Sequence, residues 1–468
     1  CMWQQRSRVD WLKAGDLKTS YFHSSANQRN RWNFISLLTL EDGTILTEEN
    51  QIGDAMVDYF QKLFTSAAPF SFEPILQGIE CKVTEEMNVE LTRAYTAKEV
   101  EQAIKQMKSM TAPGPDGIPP LFYKSFWTTV GQDVTNACLS ALNSGSLPSN
   151  INHTFITLIP KMKSPTSAKD FRPISLCNVL YKIISKTIAN CLKKCLPKLV
   201  SEAQSAFMSD CLISDNILIA FETLHHLKNK RNGRSGYMAL KLDMSKAYDR
   251  VEWAFLEKLM AKLGFDQKLI NLISTCIRSV SFSVMINGVP HGMFHPQRGL
   301  RQGDPLSPYL FILCAEGLHS LMQQAEERGS IKGVSLCRDG PKISHLFFAD
   351  DSLLFCQANV HNCTAILELL DTYEKASSQC INREKTQLFF GSNTDPQTQS
   401  TIKGMLGVSA TSHFEKYLGL PSFIGRAKRQ SFSYIRERVW HKIQGWKEKL
   451  LSQAGREVLL KAVLQAMP

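Results

Sequence analysis

Two carboxylates stand side by side in Ser344-His345-Leu346-Phe347-Phe348-Ala349-Asp350-Asp351-Ser352-Leu353-Leu354-Phe355, flanked by apolar, aromatic runs. The pattern predicts a tight β-hairpin with its turn at Asp350-Asp351. Like charges this close raise each other's cost of ionising, and a divalent cation between them relieves it. Oxygen ligands suit a hard cation, magnesium first. An isolated Asp-Asp is most often only a turn dipeptide, so the chemistry needs a further residue. Asp243 lies 107 residues before Asp350, in Ala239-Leu240-Lys241-Leu242-Asp243-Met244-Ser245-Lys246-Ala247-Tyr248-Asp249-Arg250-Val251. The first half of that segment reads as an apolar strand ending on Asp243 and the second half as a helix. A carboxylate at a strand end beside a carboxylate hairpin can complete a two-metal site for in-line phosphoryl displacement.

These residues need a scaffold, and the surrounding sequence outlines one. From Tyr237 onward strands and helices alternate, while Val179 to Leu199 carries apolar residues at helical spacing, so the fold class is α+β. Ala112 to Pro120 holds four prolines and two glycines in nine residues, which demands an ordered loop or a boundary. A second break, polar and basic, falls at Lys228 to Gly236 before the Asp243 strand. No internal repeat and no long low-complexity linker is visible.

The chain has 468 residues, enough for several subdomains, with 43% apolar composition. Its net charge of +11 favours an anionic partner. From Phe414 to Pro468 there are 11 Lys or Arg against 4 Glu, with Ile435, Val439, Ile443, Trp446 and Leu450 at helical spacing. In isolation this reads equally as a solvated basic helix or as a phosphate-tracking one. The 13 cysteines show neither a CxxC pair nor zinc spacing, Cys191 and Cys195 being the closest repeated pair at one helical turn, and they read as buried or free thiols in a reducing compartment, not as disulfides or a metal site. No signal-peptide pattern opens the chain and no apolar run reaches about 18 residues. The expectation is a nuclear or cytoplasmic protein with no membrane partner. Because it opens at Cys1-Met2 and stops at Ala466-Met467-Pro468 within helical patterns, it is expected to be a piece of a longer polyprotein.

Taken together, Phe348-Ala349-Asp350-Asp351 and Leu242-Asp243-Met244-Ser245-Lys246-Ala247-Tyr248-Asp249 resemble the palm of reverse transcriptases, specifically those of plant LINE-type (non-long-terminal-repeat) retrotransposons. Between them, Arg298-Gly299-Leu300-Arg301-Gln302-Gly303-Asp304-Pro305-Leu306-Ser307-Pro308-Tyr309-Leu310 is similar to the family's segment against template and nucleotide. Ile381-Asn382-Arg383-Glu384-Lys385-Thr386 and Tyr417-Leu418-Gly419-Leu420-Pro421 resemble its later palm motifs. Ala112 to Pro119, Leu158-Ile159-Pro160-Lys161 and Asp170 to Leu176 resemble its fingers, and Lys13-Ala14-Gly15-Asp16 with Tyr21-Phe22-His23 its N-terminal extension. The resemblance implies a right-hand polymerase fold: an extension over 1–95, α-rich fingers over 96–235, a palm with an antiparallel sheet over 236–411, and a primer-grip turn with the start of a basic helical thumb over 412–468.

It also implies roles. Asp243 and Asp350 would bridge two magnesium ions, or manganese in their place, with the Met244 carbonyl assisting and Asp351 at the edge. Tyr248 would lie under the sugar and exclude a 2′-hydroxyl, although a Tyr at such a spacing is also a common core residue. Gln302 and Gly303 would line the nascent base pair, and Lys161 and Arg172 would hold the triphosphate. Lys385 is the candidate general acid for pyrophosphate, and Tyr417, Leu418 and Gly419 would form the turn that grips the primer end. The implied partners are an RNA template, a DNA primer and dNTPs; no protein partner is indicated. One segment departs from the family: after Glu202 to Phe207, where Pro-Gly-Arg or a close variant is usual, Ser209-Asp210-Cys211 stands instead. Two readings therefore remain, an RNA-directed DNA polymerase working by target-primed reverse transcription, and a catalytically weak or dead relic that only binds nucleic acid.

Overall fold

A computed structural model describes residues 27–69, 71–208, 211–233, 235–338, 340–408, 410–411, 416–422 and 432–447, with Gln453, Glu457 and Leu460. The Lys13 to Asp16 and Tyr21 to His23 motifs, Ser209, Asp210, Leu450 and the side chain of Trp446 lie outside the described residues. The chain divides into two compact units. The smaller comprises 1–34, 110–112 and 423–468 and holds helix Ser433–Lys447, on which Ile435, Val439 and Ile443 fall as their spacing predicts. The larger, 35–109 with 113–422, carries everything that follows.

Its helices are α1 (Glu49–Phe64), α2 (Ala97–Gln106), α3 (Trp127–Ser144), α4 (Val179–Leu199), α5 (Ile213–Asn229), α6 (Trp253–Leu263), α7 (Gln267–Arg278), α8 (Ser307–Glu327), α9 (Val360–Ser377) and α10 (Pro396–Leu406), besides shorter ones. Its principal strands are β1 (His153–Pro160), β2 (Phe171–Cys177), β3 (Tyr237–Leu242), β4 (Met244–Ser245), β5 (Ser281–Ile286), β6 (Val289–Phe294), β7 (His345–Phe348), β8 (Asp351–Gln357), β9 (Cys380–Ile381), β10 (Gln387–Phe390), β11 (Lys416–Tyr417) and β12 (Leu420–Pro421). One sheet runs β7-β8-β3-β10, antiparallel throughout. The other runs β2-β1-β5-β6, with β1 and β5 parallel. It draws strands from both sides of position 235. The architecture is mixed α and β, as the alternation of periods predicts.

Burial explains which strands lie where. The inner strand β8 buries five consecutive residues from Ser352 to Cys356, as a strand covered on both faces does. β1 alternates, with Thr154, Ile156 and Leu158 buried and the residues between them less so. Helix α4 occupies the span its periodicity predicts and buries Cys191 and Cys195; all described cysteines are free. α1 packs Phe60 and Phe64 toward Phe282 and Phe294 of the second sheet. The Pro-Gly loop is ordered from Pro113 on: Asp116 N donates to Asn178 Oδ1 (3.1 Å) at the head of α4.

The loop leading into α8 is fixed by a buried ion pair. Arg301 Nη2 meets Asp304 Oδ2 at 2.7 Å, and the guanidinium lies over the Tyr181 ring at 4.1 Å. Asp304 also accepts from Tyr181 OH (2.9 Å) and from Leu306 N (3.0 Å). Removing one partner leaves the others desolvated and unmatched. Asp304→Ala is therefore expected to lower unfolding free energy by about 3–5 kcal/mol, read as a fall in the urea midpoint.

Candidate active site

The register of β3 against β8 builds the carboxylate site. Ser352 pairs with Leu242, so Asp243 and Asp351 follow at neighbouring strand ends, and Phe348 pairs with Asp351 across the hairpin. That pairing corrects the expected turn: its two residues are Ala349 and Asp350, and Asp351 already belongs to β8. The reason is a left-handed first turn residue, Ala349 at φ +53°, as the right-handed twist of two-residue hairpins favours. A non-glycine residue there is strained, by about 1–3 kcal/mol, and its neighbours hold it. Ala349 N donates to Gln204 Oε1 (3.1 Å), while Phe347 N donates to Ala203 O (2.7 Å) and Ser205 N to Phe347 O (3.2 Å). Residues 203–205 thus flank β7, and Cys211, beyond them, is exposed.

The second half of the Asp243 segment is also corrected. Met244 and Ser245 form β4, paired with Ile381 and Cys380 of β9, and turns follow to Arg250; the helix begins only at Trp253. Pairing with β9 and a left-handed Lys246 (φ +54°) divert the backbone from helix. Asn382 N then donates to the Asp243 carbonyl (2.7 Å), tying the turn that bears Lys385 to the aspartate.

Electrostatics places the three aspartates together. Burial raises the Asp351 carboxyl above its ordinary range; Asp350 and Asp243 raise it further, and Lys241 opposes them. Tyr248 is raised by burial and by Asp350, and Tyr417 by burial and by Asp351. The Tyr248 ring stacks on Phe311 (centroids 4.4 Å apart, 10° between planes) and is half-buried. Tyr417 is buried, its hydroxyl donating to Asn216 Oδ1 (2.8 Å), and Asn216 in turn donates to Phe347 O (3.1 Å). The two-residue turn between β11 and β12 is Leu418-Gly419, both left-handed, so Tyr417 anchors that hairpin from the core rather than sitting in its turn.

Among the described residues no three His, Cys, Asp or Glu side chains are already gathered closely enough to hold a metal ion. The donor set nevertheless fits a hard cation: oxygen ligands, mutual repulsion, and a raised Asp351 that a positive charge would lower.

A cationic group lies around Lys161. Lys161 has its ammonium disfavoured by burial, then by Lys385 and Arg172, so these three sequence-predicted residues share one place. Lys161 Nζ donates to Lys169 O (2.9 Å), while Arg172 and Lys385 are exposed. Sequence reasoning missed a fourth cation. Lys246 donates Nζ to Phe171 O (3.0 Å), and burial pushes it down to about 8 against the pull of Asp249. Asp249, fully buried, is pushed up to about 6 by burial. Its Oδ1 accepts from Gln302 Nε2 (3.0 Å), while Oδ2 lacks a partner. Gln302 thus directs its side-chain amide to Asp249, while its backbone carbonyl accepts from Ser175 N (2.8 Å), and Gly303 stands exposed. Gly303 takes φ +117°, and a Cβ there would come within 3.0 Å of Ser175 O. The signal for Lys246, Asp249, Gln204 and Asn382 was present as polar residues inside motifs otherwise read for their aspartates or apolar runs.

The comparisons with known proteins point one way. Residues 159–422 match the family model described as reverse transcriptase (RNA-dependent DNA polymerase). The chain is 29% identical over 97% of its length to an uncharacterized 149 kDa protein of transposon TX1 from Xenopus laevis. It is 27% identical over 69% of its length to the retrovirus-related Pol polyprotein of type-2 retrotransposable element R2DM from Drosophila melanogaster. These alignments span 34% and 28% of the two relatives. A 68-residue stretch, 14% of the chain, is 56% identical to an uncharacterized mitochondrial protein of Arabidopsis thaliana, covering 56% of it.

Behind the hairpin, His319 Nδ1 and His345 Nε2 are 2.7 Å apart, His345 Nδ1 meets Ser344 Oγ (2.9 Å), and Ser344 Oγ donates to Glu326 Oε2 (2.9 Å). Burial holds His345 down to about 3 and His319 to about 4, with Lys82 adding to the latter. Nearby Glu316, facing Lys82 and Ser201 N, is pushed up to about 7 by burial. Both histidines are depressed, so the stability they contribute is full above an unfolded value of about 6.5 and is lost as pH falls toward 4. Glu316 is raised, so its contribution is full below about 4.5 and is lost as pH rises through 7. Urea midpoints measured from pH 5 to 8 should fall at the acid end in proportion to the histidine pair, and His319→Leu/His345→Leu should flatten that limb. Glu316→Gln should flatten the alkaline limb.

Proposed function

Because the chain belongs to the reverse transcriptase (RNA-dependent DNA polymerase) family, we propose that it is the RNA-directed DNA polymerase region of a LINE-type retrotransposon polyprotein, acting by target-primed reverse transcription. The observation that carries this is the register that brings Asp243, Asp350 and Asp351 to one end of β3 and β8. On this reading 96–235 forms fingers, 236–411 the palm, 412–468 the primer grip and the start of a thumb, and 1–95 an extension. The site works on an RNA template, a DNA primer and dNTPs, in the nucleus or cytoplasm. No helix among the described residues is long and apolar enough to cross a membrane.

Asp243 and Asp350, with the Met244 carbonyl and with Asp351 at the edge, would hold magnesium or manganese. Two such ions lower the pKa of an attacking hydroxyl and neutralise leaving oxygens. The primer 3′-hydroxyl attacks the α-phosphate of a dNTP and pyrophosphate leaves. Lys161 and Arg172 receive the triphosphate, Arg172 as a planar fork and Lys161 as a point charge. Lys385, exposed on a turn tied to Asp243, can give a proton to the departing pyrophosphate. Tyr248, immobilised on Phe311, presents a fixed ring edge where a sugar would lie, and a fixed ring can reject a 2′-hydroxyl. The Leu418-Gly419 turn, anchored through Tyr417 to the hairpin that carries Asp350, sets the primer end. Gln302 and Gly303 flank the new base pair, Gln302 being held from behind by Asp249.

The alternative, a relic that binds nucleic acid without copying it, is favoured by the Ser209-Asp210-Cys211 departure, where an anion and a thiol replace an expected glycine and cation. Primer extension on an RNA template with a DNA primer, dNTPs and magnesium separates the two. Extension by the purified chain that disappears in Asp350→Asn, with template–primer binding retained, supports the polymerase; binding with no extension by the unaltered chain supports the relic. In the active case Tyr248→Val is expected to raise ribonucleotide incorporation relative to deoxynucleotide by at least about tenfold, read from competing-nucleotide extension ladders.

A further inference from the structure

Strand β2 is an outer strand of its sheet, so one edge of its backbone is free of ladder partners. That edge is met by the loop following Asp243 and by the loop preceding α8. At Phe171 the carbonyl accepts from Lys246 Nζ (3.0 Å). Four residues on, Ser175 N donates to Gln302 O (2.8 Å), and Gln302 is held through its amide by Asp249 Oδ1 (3.0 Å). Lys246 and Asp249 belong to one short run of turns directly after Asp243 and Met244. Arg172, exposed, lies between the two anchor points on the strand.

We propose that Lys246 and Asp249 are positioning residues that clamp β2 at Phe171 and Ser175, fixing the distance between the carboxylate site and the cations Arg172 and Lys161. The inference rests on the polymerase reading for its consequence in nucleotide binding, but the clamp itself is a statement about the fold. Its two arms differ in chemistry. Lys246 acts directly, as a half-buried ammonium on a backbone carbonyl. Asp249 acts through Gln302, and for that arm what matters is an acceptor at Oδ1, not the negative charge. The close approach of Gly303 to Ser175 O, which a Cβ would crowd at 3.0 Å, keeps the second anchor tight. Lys161 is carried by the same hairpin, since Lys161 N donates to Asp170 O (2.8 Å) and Ile159 pairs with Arg172. A shift of β2 would therefore move both cations together.

The test compares Lys246→Met, Asp249→Asn, Asp249→Ala and Ser175→Pro with the unaltered chain, by amide hydrogen exchange over 171–177 and by dNTP-dependent primer extension. Asp249→Asn retains the acceptor, so Ser175 stays protected and KM for dNTP stays within about twofold. Asp249→Ala frees Gln302, so exchange at Ser175 and KM both rise about tenfold, the scale of one buried hydrogen bond lost, while kcat moves much less. Lys246→Met raises KM similarly. Ser175→Pro removes the N–H that meets Gln302, along with the Ser175 hydroxyl and some backbone freedom at Ile174, and raises KM with Asp249 intact, which keeps the test open should Asp249→Ala fail to fold. Equal impairment by Asp249→Asn and Asp249→Ala, or unchanged protection of Ser175 in Asp249→Ala, would overturn the clamp. Should the unaltered chain extend no primer, the polymerase reading fails while the exchange measurements still decide the clamp.

Discussion

Three carboxylates at adjoining strand ends repel one another, and much of the larger unit serves to keep them there. The strands bearing them are locked by antiparallel register between β3 and β8, and a slip of one residue would turn Asp351 and its buried neighbours to the opposite face. Because both faces of β8 are covered, such a slip would force Leu353 and Phe355 into packing shaped for Ser352, Leu354 and Cys356, with the clashes and voids that follow. The hydrophobic pattern of the strands thus opposes the electrostatic cost of their tips. Gln204 and Asn382 complete the restraint by bonding to backbone, so they hold the chain without neutralising the charge that a cation must find.

Polar burial recurs wherever a loop must keep one shape near this site. Arg301 with Asp304 fixes the entry to α8, and Arg298 with Glu252 (3.3 Å) fixes the start of the same loop, where Glu252 also accepts from Ser66 Oγ (2.7 Å). Such pairs are weak sources of net stability because desolvation offsets the attraction. What they provide is a single arrangement of a segment that must bring Gln302 and Gly303 against β2. An apolar loop of equal volume could pack as well, but with less to fix its register.

The strand before Asp243, the hairpin at Asp350 and helix α4 were legible because each has a periodic apolar pattern with a length to match. The turn was misplaced by one residue, since nothing in Phe348-Ala349-Asp350 marks an alanine as left-handed; a contact from Gln204, 145 residues away, makes it so. The helix expected after Met244 failed for a similar reason. Ser245 to Arg250 has adequate helical propensity, but pairing of β4 with β9, more than a hundred residues on, overrides it. Residues with a chemical signature could be nominated from the sequence, while those acting on backbone atoms could not. A half-buried, carbonyl-bonded Lys246 and a solvated lysine look alike in sequence.

The Lys246 and Asp249 pair shows why such residues matter. A half-buried ammonium and a buried carboxylate, each pushed toward its neutral form by desolvation, are a costly way to fill space. Apolar side chains would be cheaper if packing were the only requirement. Each charge, however, is directed at an amide group: Lys246 at the Phe171 carbonyl, Asp249 at the Gln302 amide. Hydrogen bonds are directional where dispersion is not, so they fix the offset of one strand against another to a fraction of an ångström. On the proposed reading, a reaction that must hold a triphosphate and a hydroxyl in line would depend on that offset. On that reading, the polar pair sets the spacing between the carboxylate site and the cations Lys161 and Arg172 more than it contributes to overall stability.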